Sequence, residues 1–299
     1  MLLGLVGSEM CIRDRCNNGK EAIGSMGTDT PLAVLSKKPQ LIYNYFKQLF
    51  AQVTNPPLDG IREEIITDTS LSLGSDYNIF NLIPDHAKKL KINNPIISNG
   101  DLEKIKHIDH EDFKACSINA YYEISKGHNG LEKALDMIVD KVEKKVDNNH
   151  NIIILSDRKT SKKYAPIPIL LVCSYVHHSL IKRKKRSKFG IVIESAEPRE
   201  PHHFSMLFGY GASAINPYMV NEIIEYHHKL VFLNEQKLDK SINNFNKAIA
   251  KGILKVMNKI GISTLHSYRG AQIYEALGLR QKFVNKYFNN TPSRIEGAG

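Results

Sequence analysis

Apolar residues recur along this chain in two periods, and the alternation between them organises it. After Asn94, short runs of Ile, Val and Leu take turns with longer stretches in which apolar positions return every three or four residues. Pro95–Ile97 and Ala115–Tyr122 read as strands, the second rich in residues suited to a pleated surface. Leu131–Val146 carries Leu131, Leu135, Ile138, Val139 and Val142 at helical spacing. Asn151–Leu155 is an apolar run closed by Ser156 and Asp157, the pattern of a buried parallel strand. Ile167–Ile181 predicts a largely buried helix, Phe189–Glu194 a strand and Pro201–Phe208 a helix. Ala212–Ile215 is a small-residue strand leading into a helix over Pro217–Leu230, and Ser241–Lys259 is an amphipathic helix. Ile262–Leu265 reads as the last strand, ahead of Gly270–Leu277.

Before Asn94 the pattern is less regular. Pro31–Leu35 is a short element ending near Ser36. Pro39 occupies an early position of a helix predicted through Leu41, Tyr43, Tyr45, Phe46, Leu49 and Phe50, ended by Pro56 and Pro57. Short helices are expected around Ile61–Ile66 and His86–Leu90. Strands alternating with helices require right-handed crossovers. The expectation is an α/β fold, a mainly parallel sheet with helices in a partial-barrel-like arrangement.

Composition fits an ordinary globular protein, with 42% hydrophobic and 24% charged residues. No apolar run approaches the roughly 20 residues of a membrane span, so no membrane partner is expected. The net charge of +10 raises the question of nucleic acid. Its one dense basic run, Lys182 to Arg186 with Lys188, follows a helical pattern and lacks interleaved aromatics. Cations at a helix C-terminus complement the dipole and face water, so no nucleic-acid partner is expected either. Cys11, Cys16, Cys116 and Cys173 contain no C-x-x-C pair and match neither zinc nor disulfide spacing. Free thiols at Cys116 and Cys173 point to a reducing compartment.

Candidate chemistry is sparse. The adjacent pairs His177-His178, His202-His203 and His227-His228 point about 100° apart on a helix, which is wrong for chelation from one face. His202 and His203 follow Glu194-Ser195-Ala196-Glu197, at a strand end where parallel sheets carry functional surfaces. The loop Gly209–Ser213 precedes a strand and not a helix, so its glycines read as packing devices before a phosphate cradle. Thr54 and Asn55, just before the Pro56-Pro57 stop, are polar groups held in a fixed direction.

Four ordered stretches carry a family resemblance: Asn17–Pro57, Ala165–Ile181, Gly190–Tyr218 and Lys251–Leu279. Together they resemble the central domain of the glutamate synthase large subunit. The resemblance implies a non-catalytic segment between an amidotransferase domain and an FMN-binding synthase domain, bordering the tunnel for ammonia. It implies FMN and an iron–sulfur cluster in the whole enzyme but no cofactor in this segment. A small NAD(P)H-oxidising subunit or ferredoxin would supply electrons, in the cytoplasm. Thr54 and Asn55 then become candidates for lining the tunnel or meeting the synthase domain. His202 and His203, with Tyr268 and Arg269, become interdomain candidates. By the same resemblance residues 17–260 are the central domain and 261–299 lead toward the synthase domain. Residues 1–16 (MLLGLVGSEMCIRDRC) place their arginines after the apolar part, unlike a secretory signal, and resemble a translated adapter, a non-native leader. Two other readings stay open: a stand-alone α/β flavin or phosphate-binding enzyme using the Glu194–Gly211 surface, and a basic nucleic-acid-binding module.

Overall fold

A computed structural model describes residues 11–17, 19–20, 31–49, 62–78, 80–81, 83–229 and 237–299. In chain order, a helix α1 covers residues 11–17, and 3-10 turns follow at Ala33–Leu35 and Ile42–Tyr45. Next come strand β1 (Phe46–Gln48), helix α2 (Glu63–Ile66) and a hairpin of β2 (Leu71–Leu73) and β3 (Leu90–Ile92). Helix α3 (Asn99–Lys106) precedes β4 (Ala115–Asn119), β5 (Tyr121–Glu123) and α4 (Gly127–Asp147). The sequence continues through β6 (Ile152–Ser156), β7 (Tyr164–Pro166), α5 (Ile169–Lys182), β8 (Gly190–Glu194), α6 (Pro201–Gly209) and β9 (Ala214–Asn216). Helices α7 (Tyr218–Lys229), α8 (Leu238–Ile260) and α9 (Leu265–Tyr268) lead to β10 (Tyr274–Leu279), α10 (Gln281–Tyr287) and β11 (Ser293–Ala298).

The α/β expectation holds. Strands β4, β6, β8 and β9 form a parallel sheet in chain order, with Ile153 opposite Ile191 and Ile193 opposite Ile215. When sheet order follows chain order, right-handed crossovers place the connecting helices on one face, as in a barrel wall. Here the wall stops at four strands, and no closed barrel forms among the described residues. Both faces are apolar, as the uninterrupted Ile-rich runs require. Ile153, Leu155, Ile191, Ile193 and Ile215 join the main core with α4, α5 and α6. Ile152, Ile154, Val192 and Ala214 face a smaller cluster supplied by Leu73, Ile92, Ile97, Leu102 and Ile105. Thus α3 and the β2–β3 hairpin fill the side that further strands would occupy in a full barrel. Gly190 makes that closure possible: a Cβ there would lie 2.1 Å from Leu73 Cδ1.

Two predicted elements are corrected. The helix expected from Pro39 is a single 3-10 turn followed by β1, which pairs antiparallel with β10, Phe46 opposite Ala276. Its aromatic residues suit a strand once a partner arrives from far along the chain, and tertiary pairing overrides the local spacing. The strand expected at Ile262–Leu265 is displaced because the Thr264 hydroxyl accepts from Ser267 N at 3.2 Å and caps α9. The strand belongs instead to Tyr274–Leu279, within and beyond the Gly270–Leu277 stretch.

Residues on both sides of the expected 16/17 and 260/261 boundaries contribute to the main core. Ile12 and Cys16 are buried in it, and Asn244 Nδ2 donates to Cys16 O at 2.8 Å. So are Leu265, Tyr274, Ala276, Val284 and Phe288. No helix among the described residues is long and apolar enough to cross a membrane.

Candidate functional site

The C-terminal edge of the parallel sheet collects three carboxylates. Asp157 follows β6, while Glu194 ends β8 and Glu197 lies three residues on. Asp157 accepts from Ser195 Oγ at 2.5 Å and from Ala196 N at 3.2 Å. Its pKa is nevertheless raised, because burial outweighs these bonds and the one from Tyr218. Glu194 is buried and accepts from Lys106 Nζ at 3.0 Å, with Arg158 Nη1 at 3.8 Å. Glu197 accepts from Ile169 N at 3.2 Å, so it caps the start of α5. It keeps a sliver of solvent contact, yet dense surrounding protein raises its pKa to about 7, with the charge of Asp157 adding to the effect. The Tyr43 hydroxyl bears on Glu197 but makes no hydrogen bond of normal geometry.

The expected residues fall into two neighbourhoods joined by aromatic rings. His202 Nε2 donates to Tyr43 O at 3.1 Å, and His203 Nδ1 accepts from Arg199 N at 3.3 Å with its ring 4.5 Å from that of Tyr43. Burial lowers both imidazoles, His203 to about 3, so each is neutral at pH 7. The His202 ring lies 6.4 Å from Tyr274, whose hydroxyl bonds that of Tyr268 at 2.6 Å. Tyr268 is wholly buried. Arg269 turns the other way, its Nη1 donating to Ser213 Oγ at 2.8 Å. The structure therefore assembles His202, His203 and Tyr268 through Tyr43 and Tyr274, and leaves Arg269 apart. Thr54 and Asn55 lie outside the described residues.

Beside Arg269 the basic run is not a uniformly solvated face. Arg183 reaches Asp140 at 2.9 Å, and Lys185 reaches Glu143 and Asp147, both at 2.8 Å. Arg186 goes inward, donating from Nε to His177 Nδ1 at 2.9 Å and from its two terminal nitrogens to Phe189 O and Gly211 O. Burial and Arg269 work against its charge, which a guanidinium keeps. His177 fills the space behind Gly211, where an added Cβ would lie 2.3 Å from Nδ1. The Gly209–Ser213 loop is therefore packed, with no room for a phosphate or flavin. Nor do the residues suit an iron–sulfur cluster: among those described, no three His, Cys, Asp or Glu side chains converge on a metal position.

Among the described residues the geometry is that of a packed polar seam. Sequence comparison gives it a context. The profile of the glutamate synthase central domain matches residues 7–280. The chain belongs to this family. It is 41% identical over 283 residues to the glutamate synthase [NADPH] large chain of Bacillus subtilis, covering 93% of this chain and 18% of that one. Glutamate synthase [NADH] of Schizosaccharomyces pombe is 41% identical over 96% of this chain, and ferredoxin-dependent glutamate synthase 2 of Synechocystis 37% over 97%. The chain spans only 14% and 19% of those two relatives. A mandelate oxidase structure shares 8% identity over 89% of this chain and 96% of its own at a TM-score of 0.45, too loose a likeness to bear on function.

From sequence, His177 stood out only as one of an adjacent pair and Arg186 only as part of the basic run, while Tyr43 and Asp157 were not singled out as candidates. For Asp157 a signal existed, since it ends an apolar run at the functional edge of a parallel sheet. For the other three the partners are set only by the fold.

Proposed function

We propose that this segment is the connective body of a glutamate synthase large chain, holding an amidotransferase domain and an FMN-binding synthase domain in register and walling the ammonia passage between them. The observation that carries this is a central-domain match over residues 7–280 within relatives more than five times as long. The buried thiols support a non-catalytic part. Burial raises Cys16 and Cys173 to about 12 and Cys116 to about 11, which keeps them protonated and poorly nucleophilic at neutral pH. Glutamine hydrolysis and reductive amination of 2-oxoglutarate then belong to the neighbouring domains, with their FMN and iron–sulfur cluster. Electrons come from NAD(P)H through a small subunit or from ferredoxin, and the setting is the cytoplasm.

Within this body Thr54 and Asn55 are our candidates for lining the passage or meeting the synthase domain, and Arg269 for an interdomain contact. His202, His203 and Tyr268 are candidates for the same interdomain contacts. Because burial holds both histidines neutral, neither offers a proton to a passing base. The test uses a full-length large chain carrying this segment, with Thr54→Trp and Asn55→Trp. Glutamine-dependent glutamate formation should fall at least tenfold, while glutaminase activity and synthesis from added ammonium persist. Unchanged coupling in both variants overturns the passage assignment. Net glutamate production by the 299-residue chain alone, given glutamine, 2-oxoglutarate and reductant, overturns the connective one.

A further inference from the structure

The two edges of the parallel sheet are treated differently. The β9 edge is covered: Ile97 N donates to Ile215 O at 2.9 Å, and Ile215 N donates to Pro95 O at 2.8 Å. The β4 edge pairs only inward, to β6, and no described residue takes its outer side. While β6 and β8 are buried throughout, β4 keeps Ser117 exposed and Ala115, Cys116 and Asn119 half-buried. An open edge with unpaired backbone groups is a template for another strand.

Against this edge runs a groove of 640 Å³ between β4, β5 and α4, with Tyr164 also in its lining. Helix α4 carries two charged stripes on adjoining faces. One is acidic and satisfied within the chain: Asp140 and Glu143 meet Arg183, Asp147 meets Lys185, and Asp136 accepts from Tyr175. The other faces the groove and is basic. Lys133, Lys141, Lys144 and Lys145 are exposed, and none makes an ion pair with a described residue. Lys126 also lines the groove, and its one carboxylate, Glu123, is shared by Lys126 at 2.9 Å and Lys163 at 3.5 Å. Met137 stands among the lysines, 53% exposed.

We infer that this groove is a strand-addition site for an extended acidic polypeptide segment, which pairs its backbone with β4 and lays alternate carboxylates on the lysine stripe. Five residues of open edge correspond to about 16 Å, enough for one ordinary strand. Main-chain pairing supplies affinity and the lysines supply selection by charge. Resting on the connective reading only for its source, the inference takes this segment from elsewhere in the same large chain.

The groove is tested on the 299-residue chain with fluorescein-labelled octapeptides. The probe alternates glutamate with valine, and two controls alternate lysine with valine or glutamate with proline; a twelve-residue oligo-dT is the competitor. Binding of the first alone is expected, weakened at least tenfold in a Lys133→Glu, Lys141→Glu, Lys144→Glu variant of unchanged thermal midpoint. Equal binding of the proline peptide, indifference to the charge reversal, or preference for oligo-dT overturns the strand-addition site. The source is tested in a full-length large chain with a photo-crosslinking amino acid in place of Met137. A crosslink to an Asp/Glu-rich segment of the same chain is expected; a crosslink to a second copy or to nothing overturns it. Neither result touches the ammonia-coupling test, so the two proposals fail separately.

Discussion

Gly211→Ala isolates the packing of the Arg186–His177 seam. Gly211 has φ +111°, a conformation that costs a residue with a side chain about 1–3 kcal/mol. The new methyl would lie 2.3 Å from His177 Nδ1, 2.7 Å from Cγ and 3.1 Å from Cβ. Because the clash reaches the root of the ring, rotating its tip gives no relief, and overpacking of this kind costs about 1–3 kcal/mol. Displacing the ring also breaks the charge-assisted bond from Arg186 Nε, worth roughly 1.5–3 kcal/mol. The expected destabilisation is about 3.5–9 kcal/mol, a large share of the roughly 5–15 kcal/mol that holds a domain folded. Guanidinium denaturation followed by circular dichroism measures it, with an unchanged m-value confirming that the same surface is exposed. A double-mutant cycle with His177→Ala separates the contributions. Once the ring is gone, Gly211→Ala should cost only the backbone share, about 1–3 kcal/mol. A loss below about 1 kcal/mol in the single variant, or full additivity in the double, refutes the argument.

Two further predictions concern pH. Glu197 is raised in the folded chain from 4.5 to about 7, so its contribution to stability is present below pH 4.5 and lost as pH rises through 7. Glu197→Gln keeps an acceptor for Ile169 N and removes that loss, so it should stabilise by up to ~3 kcal/mol at pH 8 and little at pH 4; equal melting shifts at both pH values contradict it. His177 and His203 move in the opposite sense, well below and to about 3 from 6.5. The unfolded chain takes up these protons first, so stability should fall as pH drops below 6.5, by up to about 1.4 kcal/mol per unit for each ring. A His203→Gln variant that loses stability to acid as steeply as the parent shows that this ring is not responsible.

The parallel sheet was legible because its information is local. Continuous apolar runs at Asn151–Leu155 and Phe189–Glu194 announce strands buried on both faces, and the 3.6-residue spacing of Leu131, Leu135 and Ile138 announces the helix that precedes them. What sequence misread depends on distant partners. Tyr43 and Phe46 fit a helical face equally well until β10 offers Phe46 a strand neighbour. Thr264 looks like any strand residue until its hydroxyl caps the next turn. The candidate site divides in the same way. Glu194, His202 and His203 drew attention by their place at or after a strand end, while Arg186 looked like one more surface cation. Its partners, the carbonyls of Phe189 and Gly211 and the ring of His177, come together only in three dimensions.

The pairing of Phe46 with Ala276 joins positions near opposite ends of the sequence. During synthesis the β4–β9 wall has all its strands long before residue 276 leaves the ribosome, but the aromatic corner around Phe46 does not. Phe46 packs on Tyr210 and on Phe288, so it waits for the last of these to emerge. Any nascent chain halted before that point carries a greasy, unfinished corner. Chaperone capture should therefore concentrate on this corner and spare the sheet.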